Sequence, residues 1–214
     1  MIKVKICGLT TAEAVEAATL HGANYAGFVF FPPSPRNLTY DAAEILARPI
    51  PSGIQKVAVL VDPDDGMLKS LLEVFPADIL QLHGKETPTR LMEIKRLTKL
   101  PVIKAFQVQK RDDILAANDY NEVADMFLFD ASAPSSDLPG GNGVSFDWTW
   151  LANARLTKPW FLSGGLNADN VLDAILRSGA NMVDISSNLE SRPGIKDPAR
   201  VAEFLDVVYK AYAI

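Results

Sequence analysis

The chain has 214 residues, of which 48% are apolar and 22% are charged, and its formal net charge is −5. This composition is typical of one globular domain with a sizeable core, and two domains would be cramped. The mildly acidic balance argues against binding to nucleic acid, and no apolar run approaches the roughly 20 residues that span a bilayer. We therefore expect a small-molecule partner, with no nucleic acid and no membrane.

The single cysteine, Cys7, allows no internal disulfide. The start of the chain has neither the basic n-region nor the apolar h-region of a signal peptide, so we expect a reducing, cytoplasmic setting. The two histidines, His21 and His83, have no thiol or carboxylate neighbours at metal-ligand spacing. The sequence therefore predicts no metal site.

Short apolar or β-branched runs alternate with longer segments of helical period along the whole chain. The predicted strands cover residues 2–7, 25–30, 56–61, 79–82, 102–106, 126–130, 160–163 and 182–185. The predicted helices cover residues 11–21, 40–48, 65–75, 87–99, 111–118, 147–154, 167–178 and 198–212. The strands are almost continuously apolar, which is typical of parallel strands buried on both faces.

Eight βα units fit either a closed barrel or an open doubly wound sheet. The turn after the first strand, residues 7–11, lacks the Gly-x-Gly-x-x-Gly pattern of a dinucleotide-binding sheet. The count of eight, without a linker or a break in composition, favours an α/β chain folded as a single (β/α)8 TIM barrel. We expect residues 1–214 to form one catalytic domain.

In such a barrel the carboxyl ends of the strands form one face, and Cys7 and Asp130 each close a predicted strand. A free cysteine is commonly a small hydrophobe in a core, and an aspartate there also serves as a turn cap. Alternatively, partial desolvation raises the pKa of Asp130 and suits it to act as an acid. His83 lies three strands from Cys7, so we favour Cys7 as a base rather than as a nucleophile.

Anion sites are predicted at the ends of strands seven and eight, for phosphate, and after strand two, for a carboxylate. Gly164 and Gly165 follow strand seven, and Ser186, Ser187 and Asn188 follow strand eight, where such barrels commonly bind phosphate. The plainer alternative is a tight turn followed by a helix cap. Because neither segment contains lysine or arginine, backbone N–H groups would carry much of the phosphate binding.

Arg36 ends a proline-rich loop, residues 32–35, that restricts its position and suits it to hold a carboxylate through two hydrogen bonds. The alternative is a solvated surface arginine. Lys5 points to the same side of its strand as Cys7 and is a candidate source of positive potential for the thiol. The predicted pocket also includes His83 and Asp184, and the loop at 131–145 is predicted to be a lid or a flexible connector.

These residues describe a thiol and a carboxyl group beside a phosphorylated substrate, with an arginine for a second anionic group and no cofactor motif. A proton-transfer isomerisation fits this set best.

Several separated motifs also resemble one known family. They are KICGLT at 5–10, GFVF at 27–30 with SPR at 34–36, QLHG at 81–84 with Glu86, FD at 129–130, GGNG at 140–143, FDW at 146–148, LSGGLN at 162–167 and PGIKD at 193–197. Together they resemble the phosphoribosylanthranilate isomerases of tryptophan biosynthesis over nearly the whole chain. The resemblance implies a (β/α)8 enzyme that performs an Amadori rearrangement of N-(5-phosphoribosyl)anthranilate without cofactor or metal.

The resemblance also implies roles for individual residues. Asp130 would protonate the ribose ring oxygen, Cys7 would remove the proton from C2′, and Arg36 would hold the anthranilate carboxylate. The segments after strands seven and eight would hold the phosphate. Asn188 stands where the family usually has glycine, and we expect this position to need a left-handed backbone or a close backbone approach, which asparagine tolerates with a modest effect. Asn142 also replaces a common small hydroxyl residue.

Two other functions stay open at this point. One is another sugar-phosphate isomerase or epimerase on the same barrel, although such enzymes are expected to use paired aspartates rather than Cys7. The other is a non-catalytic barrel that binds a phosphorylated metabolite. The sequence leaves the oligomeric state open between monomer and homodimer.

Overall fold

The computed structural model describes residues 2–131 and 145–212, so the predicted loop that carries GGNG lies outside the described residues. Eight parallel strands pair in chain order and close into a barrel, with β1 hydrogen-bonded to β8. The strands are β1 (Lys3–Cys7), β2 (Tyr25–Phe30), β3 (Gln55–Leu60), β4 (Ile79–Leu82), β5 (Val102–Val108), β6 (Met126–Ala131), β7 (Trp160–Leu162) and β8 (Met182–Ile185). The predicted fold, a (β/α)8 TIM barrel, is confirmed.

Five of the eight α-helices in the described residues begin at a capping side chain. The eight helices are α1 (Ala12–Leu20), α2 (Tyr40–Ala47), α3 (Asp65–Val74), α4 (Pro88–Thr98), α5 (Asp112–Leu115), α6 (Thr149–Ala152), α7 (Val171–Ser178) and α8 (Pro198–Ala211). Thr11, Thr39, Asp64, Thr87 and Asp197 each accept a hydrogen bond from a backbone N–H of the first helical turn. These bonds satisfy donors that would otherwise lack partners.

The strands place alternate side chains on opposite faces, and this divides the core into two layers. The outer layer packs between the sheet and the helices. The inner layer fills the barrel and includes Cys7, Val57, Ile79, Leu128 and Phe161. Polar residues two positions further along the same strands face the same interior, nearer the carboxyl ends. The alternation therefore brings Gln81, Asp130, Ser163 and Asp184 towards one end of the barrel.

Three predicted helices are shorter than expected. Helix α5 ends at Leu115 and continues as a 3-10 helix, Ala116–Tyr120. Helix α6 is a single turn. Helix α7 begins four residues late, because the Asn167 side chain accepts the backbone N–H groups of Asp169 and Asn170 and holds a turn there.

An antiparallel hairpin that the sequence reading did not predict lies between β8 and α8. It consists of β9 (Glu190–Arg192) and β10 (Ile195–Lys196). Pro193 and Gly194 connect its strands, and the positive φ of Gly194, 84°, suits glycine. Among all described helices, none is long and apolar enough to cross a membrane.

Candidate active site

A cavity at the carboxyl ends of the barrel strands collects nearly all the residues that the sequence predicts for a site. Its lining includes Cys7, Arg36, His83, Asp130, Gly164, Gly165, Asp184, Ser186, Ser187 and Asn188. Lys5 is the exception, since it is completely buried and does not line the cavity. In the described part of the chain, no group of three or more histidine, cysteine, aspartate or glutamate side chains could hold a metal ion.

Cys7 reaches the cavity because its neighbour across the sheet is a glycine. Cys7 pairs with Gly27 in the β1–β2 ladder, and a Cβ atom at Gly27 would lie 3.1 Å from the Cys7 sulfur. Such a contact is tighter than nine in ten real Cβ contacts. A side chain at position 27 would therefore press on the thiol.

Lys5 and Asp184 form a buried ion pair directly behind the cavity. They face each other in the β1–β8 ladder, and Lys5 Nζ lies 2.7 Å from Asp184 Oδ1. Asp184 Oδ2 accepts a hydrogen bond from Ser163 Oγ at 3.1 Å. Burial is the largest single effect and lowers the pKa of Lys5, but Asp184 and Cys7 together outweigh it and the pKa is raised. The lysine therefore stays charged.

The Cys7 thiol does not become more acidic in this environment. Burial raises its pKa above the ordinary value of 9.0, whereas the positive charge of Lys5 lowers it and the negative charge of Asp184 raises it. Burial is the largest of these effects. Lys5 supplies the positive potential that the sequence suggested, but that potential only moderates the rise in the pKa.

Asp130 is the titratable group best matched to neutral pH. Its pKa is raised from 3.8 to about 7, first because it is buried and then because Asp184 repels a second negative charge. His83 Nε2 lies 3.7 Å from Asp130 Oδ2, and burial lowers the pKa of His83 to about 3. The imidazole is therefore neutral beside a carboxyl group that is about half protonated at pH 7.

Two buried polar atoms at the cavity have no protein partner. Gln81 Oε1 and His83 Nε2 are two of only three such side-chain atoms found in the described residues. Gln81 Nε2 lies 3.4 Å from His83 Nδ1, so the two side chains hold each other while their other ends stay free. Unsatisfied buried polar atoms are costly, and in a cavity they suit hydrogen bonds to a ligand. Gln81 belongs to the QLHG motif at 81–84, but sequence reasoning gave it no role of its own.

The segments after β7 and β8 meet at one side of the cavity. Gly164 and Gly165 have φ angles of 92° and 65°, and a Cβ atom at Gly164 would lie 2.5 Å from the Ala131 backbone nitrogen. The backbone therefore requires glycine at position 164, and the positive φ at position 165 favours it. Residues Ser187–Leu189 form a 3-10 turn.

Asn188 has a different structural role from the one expected. It lies inside the 3-10 turn, and the non-glycine residues with positive φ in the described chain are Asp62 and Lys99. Of the two alternatives expected at Asn188, a left-handed backbone or a close backbone approach, the left-handed backbone is therefore wrong. Its Nδ2 instead donates a hydrogen bond of 2.8 Å to the Leu166 carbonyl, which joins the β8 segment to the β7 segment.

Arg36 lies at the cavity, as predicted, but it already has a protein partner. Its Nε and Nη2 donate to the two carboxylate oxygens of Glu190 at 2.6 and 3.0 Å. Lys196 Nζ lies 2.8 Å from Glu190 Oε1. Sequence reasoning missed both Glu190 and Lys196. The Pro193-Gly194 turn signal, which brings the two residues together in the hairpin, could have indicated them.

The fold and the cavity define a class of protein: a (β/α)8 barrel enzyme with a buried carboxyl group and a thiol at the mouth of its barrel. The family model for N-(5′-phosphoribosyl)anthranilate (PRA) isomerase matches residues 4–207. The N-(5′-phosphoribosyl)anthranilate isomerase of Paracoccus denitrificans is 50% identical over 95% of both chains. That of Parvibaculum lavamentivorans is 48% identical over 98% of this chain and 99% of its own.

Solved structures give the same result. The phosphoribosyl anthranilate isomerase of Thermotoga maritima aligns over the full length of both chains with a TM-score of 0.86 and 32% identity. A phosphoribosyl anthranilate isomerase in complex with reduced 1-(o-carboxyphenylamino)-1-deoxyribulose 5-phosphate also has a TM-score of 0.86, with 30% identity over 98% of this chain and 100% of that one. The chain belongs to the N-(5′-phosphoribosyl)anthranilate isomerase family.

Proposed function

We propose that this chain isomerises N-(5′-phosphoribosyl)anthranilate to 1-(o-carboxyphenylamino)-1-deoxyribulose 5-phosphate, a step of tryptophan biosynthesis. Family membership supports this substrate. The observation that carries the proposal is the pKa of about 7 at Asp130, in the same cavity as the Cys7 thiol. A general acid works best when its pKa lies near the working pH. We also treat residues 1–214 as one catalytic domain.

Protonated Asp130 acts first, as the general acid. It gives its proton to the ribose ring oxygen, the bond from that oxygen to C1′ breaks, and the nitrogen lone pair forms a Schiff base. Neutral His83 lets Asp130 keep its proton, because an imidazolium at 3.7 Å would lower the pKa of the carboxyl group.

Cys7 acts second, as the general base. Its thiolate removes the proton from C2′, and the electron pair of that C–H bond moves to give a neutral enolamine. The enolamine then tautomerises to the ketone, with a proton lost from the C2′ hydroxyl and one gained at C1′. The positive charges of Lys5 and Lys196 favour the thiolate against the effect of burial.

The two ends of the substrate carry negative charge and bind at opposite parts of the cavity. The phosphate binds to the segments that contain Gly164, Gly165 and Ser186 to Asn188, where backbone N–H groups supply the donors. Arg36 binds the anthranilate carboxylate. Between these two ends, Gln81 Oε1 accepts a hydrogen bond from a sugar hydroxyl group, and His83 Nε2 accepts one from or donates one to another, according to its tautomer.

The proposed role of Cys7 as a free thiol bears on the cellular compartment in which we expect the enzyme. We expect a reducing cytoplasm, where Cys7 stays a thiol, and the choice between monomer and homodimer stays a prediction. The proposed steps use side-chain proton transfers alone, so we invoke neither cofactor nor metal.

A fluorescence assay that follows the loss of phosphoribosylanthranilate tests the proposal. We expect turnover by the unmodified chain, and a fall of at least ~10²-fold in kcat for Cys7→Ala and for Asp130→Asn, the usual effect of removing a general acid or base. Glu16→Gln, at an exposed position on α1, is the matched control and should keep the full rate. No turnover by the unmodified chain would favour the non-catalytic barrel, and near-normal rates in both variants would remove the assigned roles.

A further inference from the structure

A group of three buried charges lies beside the cavity, and the proposed function assigns contact with the substrate to only one of them, Arg36. The Arg36, Glu190 and Lys196 side chains are 10%, 6% and 0% exposed, respectively. Glu190 stands between the two cations, with one oxygen 2.6 Å from Arg36 Nε and 2.8 Å from Lys196 Nζ. The cavity lining includes Arg36 but neither Glu190 nor Lys196. Arg36 therefore lies between Glu190 and the cavity.

The contact with Glu190 determines which face of the guanidinium is available. A guanidinium offers two forks of paired N–H groups, one at Nε and Nη2 and the other at Nη1 and Nη2. Glu190 occupies the first fork with two hydrogen bonds. In the described residues Nη1 has no hydrogen-bond partner. The second fork is therefore the one that remains for a ligand carboxylate.

The stem of Arg36 is also held in place. A Cβ atom at Gly8 would lie 2.5 Å from Arg36 Cδ, so the arginine lies directly across the residue that follows Cys7. Ser186 Oγ donates to the Cys7 carbonyl at 3.0 Å, and Lys196 Nζ lies 3.4 Å from the same Oγ. The contacts thus form a closed ring from Gly8 through Arg36, Glu190, Lys196 and Ser186 to Cys7, the residue that precedes Gly8.

The charges in this ring leave one positive charge to be matched. Arg36 and Lys196 contribute two positive charges and Glu190 one negative charge, and a single ligand carboxylate completes the balance. Burial raises the pKa of Glu190, but Arg36 and Lys196 outweigh it and hold the pKa below its usual value. Glu190 therefore stays ionised around neutral pH. Burial lowers the pKa of Lys196, and the Glu190 carboxylate opposes that shift.

We propose that Glu190 is a positioning residue that fixes Arg36 with its Nη1–Nη2 fork towards the cavity, and that it thereby determines recognition of the substrate carboxylate. This inference rests on the proposed function for the identity of that carboxylate. Glu190 acts through Arg36 and does not touch the substrate.

The test compares two ligands that differ only in the carboxylate. The first is reduced 1-(o-carboxyphenylamino)-1-deoxyribulose 5-phosphate, and the second is the same reduced compound without the ring carboxyl group. Their dissociation constants are measured by calorimetry with the unmodified chain, which we expect to prefer the first by about 10-fold or more, as for a charge-assisted pair of hydrogen bonds. Because binding is measured without turnover, this experiment is independent of the activity assay.

Glu190→Gln keeps the shape of the side chain and removes its charge. We expect the preference for the carboxylate to fall to about 3-fold or less, while the compound without the carboxyl group binds within about 3-fold of its original affinity. Glu190→Asp keeps the charge and should give an intermediate preference for the carboxylate. This variant also tests the inference if Glu190→Gln fails to fold. Glu44→Gln is the matched control, because Glu44 pairs with Arg48 in a similar way on the exposed side of α2.

A double variant identifies the route through which Glu190 acts. When Arg36→Ala is present, adding Glu190→Gln should change the preference no further. Equal weakening of both ligands, an unchanged preference in Glu190→Gln, or full additivity with Arg36→Ala would each overturn the inference. An enzyme that binds the first ligand tightly but does not isomerise phosphoribosylanthranilate would instead contradict the proposed function alone.

Discussion

The proposed catalytic role of Asp130 comes with a loss of stability of the fold. Its carboxyl group is 4% exposed, and its ionised form has Asp184 nearby rather than water. The difference between a pKa of about 7 in the fold and the ordinary 3.8 corresponds to about 4 kcal/mol of unfavourable free energy once the group is ionised. A residue that is ready to donate a proton at neutral pH is therefore a residue that destabilises the fold there.

Asp130→Asn should raise the free energy of unfolding at pH 8 by about 2–4 kcal/mol, because the amide carries no charge to bury. The sign follows from the raised pKa. Below pH 3.8 the carboxyl group is protonated in both states, and the unfavourable energy grows as the pH rises through about 7. Urea unfolding at pH 8 and at pH 4 measures the difference. Asp41→Asn, at an exposed position on α2, should change stability by less than about 0.5 kcal/mol at both pH values.

Equal stabilisation by Asp130→Asn at the two pH values would contradict this explanation, because the effect would then not depend on ionisation. Loss of stability at pH 8 would show that the hydrogen bonds of the carboxylate matter more than its burial.

Sequence reasoning predicts the location of site residues well where they stand at the end of a strand. Cys7 and Asp130 close apolar strands, and the structure places both at the cavity. Their pKa values could not be predicted, because each depends on Lys5 and Asp184, which meet only when β1 pairs with β8. Glu190 was missed for a similar reason, since its partner Arg36 is 154 positions away in the chain.

At the scale of elements, the two segments that we propose for the phosphate are separate in the chain but joined in space. The Asn188 side chain donates to the Leu166 carbonyl across them at 2.8 Å. Asn170 Nδ2 also donates to the Gly165 carbonyl at 2.9 Å, so the β7 segment is held from two directions. Backbone N–H groups bind an anion well only when they are held in one geometry.

Asn188→Ala should raise the KM for phosphoribosylanthranilate by about 5- to 10-fold and leave kcat within about 2-fold, since about 1 kcal/mol of one neutral hydrogen bond is lost far from the reacting atoms. Steady-state kinetics measures both values. Inhibition by inorganic phosphate should weaken to the same extent as substrate binding. Asn153→Ala removes a comparable side-chain bond, to Thr149 on the surface of α6, and should change neither constant. A fall in kcat without a change in KM would assign Asn188 a different role.

The sequence predicts the barrel strands closely, and several helices less well. Apolar runs fix the strands because both of their faces are buried. Helix α7 begins late because Asn167 satisfies two backbone donors with its side chain, an outcome that apolar periodicity does not reveal. The β9–β10 hairpin is too short to give a pattern of its own. Only its Pro193-Gly194 turn was visible in the sequence.

At the scale of the whole molecule, the chemistry and one of the contacts that close the fold lie at opposite ends of the barrel. Helix α8 packs against α1 after the last strand. Tyr209 Oη on α8 donates to the Gly22 carbonyl at 2.7 Å and lies 3.2 Å from Asn24 Oδ1, both of which precede β2. Barrels of this kind commonly divide in this way, with function at the carboxyl ends of the strands and stability at the amino ends.

Tyr209→Phe should lower the free energy of unfolding by about 1–2 kcal/mol, because the Gly22 carbonyl loses its partner in a half-buried place. Values of kcat and KM at 25 °C should stay within about 2-fold of the original. Urea unfolding and the isomerase assay on the same preparation test both statements. Tyr40→Phe provides a control, since no hydrogen bond of the Tyr40 hydroxyl is seen in the described chain. A change in kcat for Tyr209→Phe would show that the two ends are coupled.

The pKa values of the Cys7 thiol and the Asp130 carboxyl group lie in the opposite order to the one that the proposed reaction needs. The proposed reaction needs a protonated carboxyl group whose pKa is about 7 and an ionised thiol whose pKa lies above 9.0. The group that should hold its proton is thus the stronger acid of the two, a condition known as reverse protonation. Because the carboxyl group ionises at a lower pH than the thiol, the productive form is a minor fraction of the free molecules at any pH. The intrinsic kcat/KM of that form must then exceed the measured value by the inverse of this fraction. A weaker base would be ionised more often, but it would also remove the C2′ proton less readily.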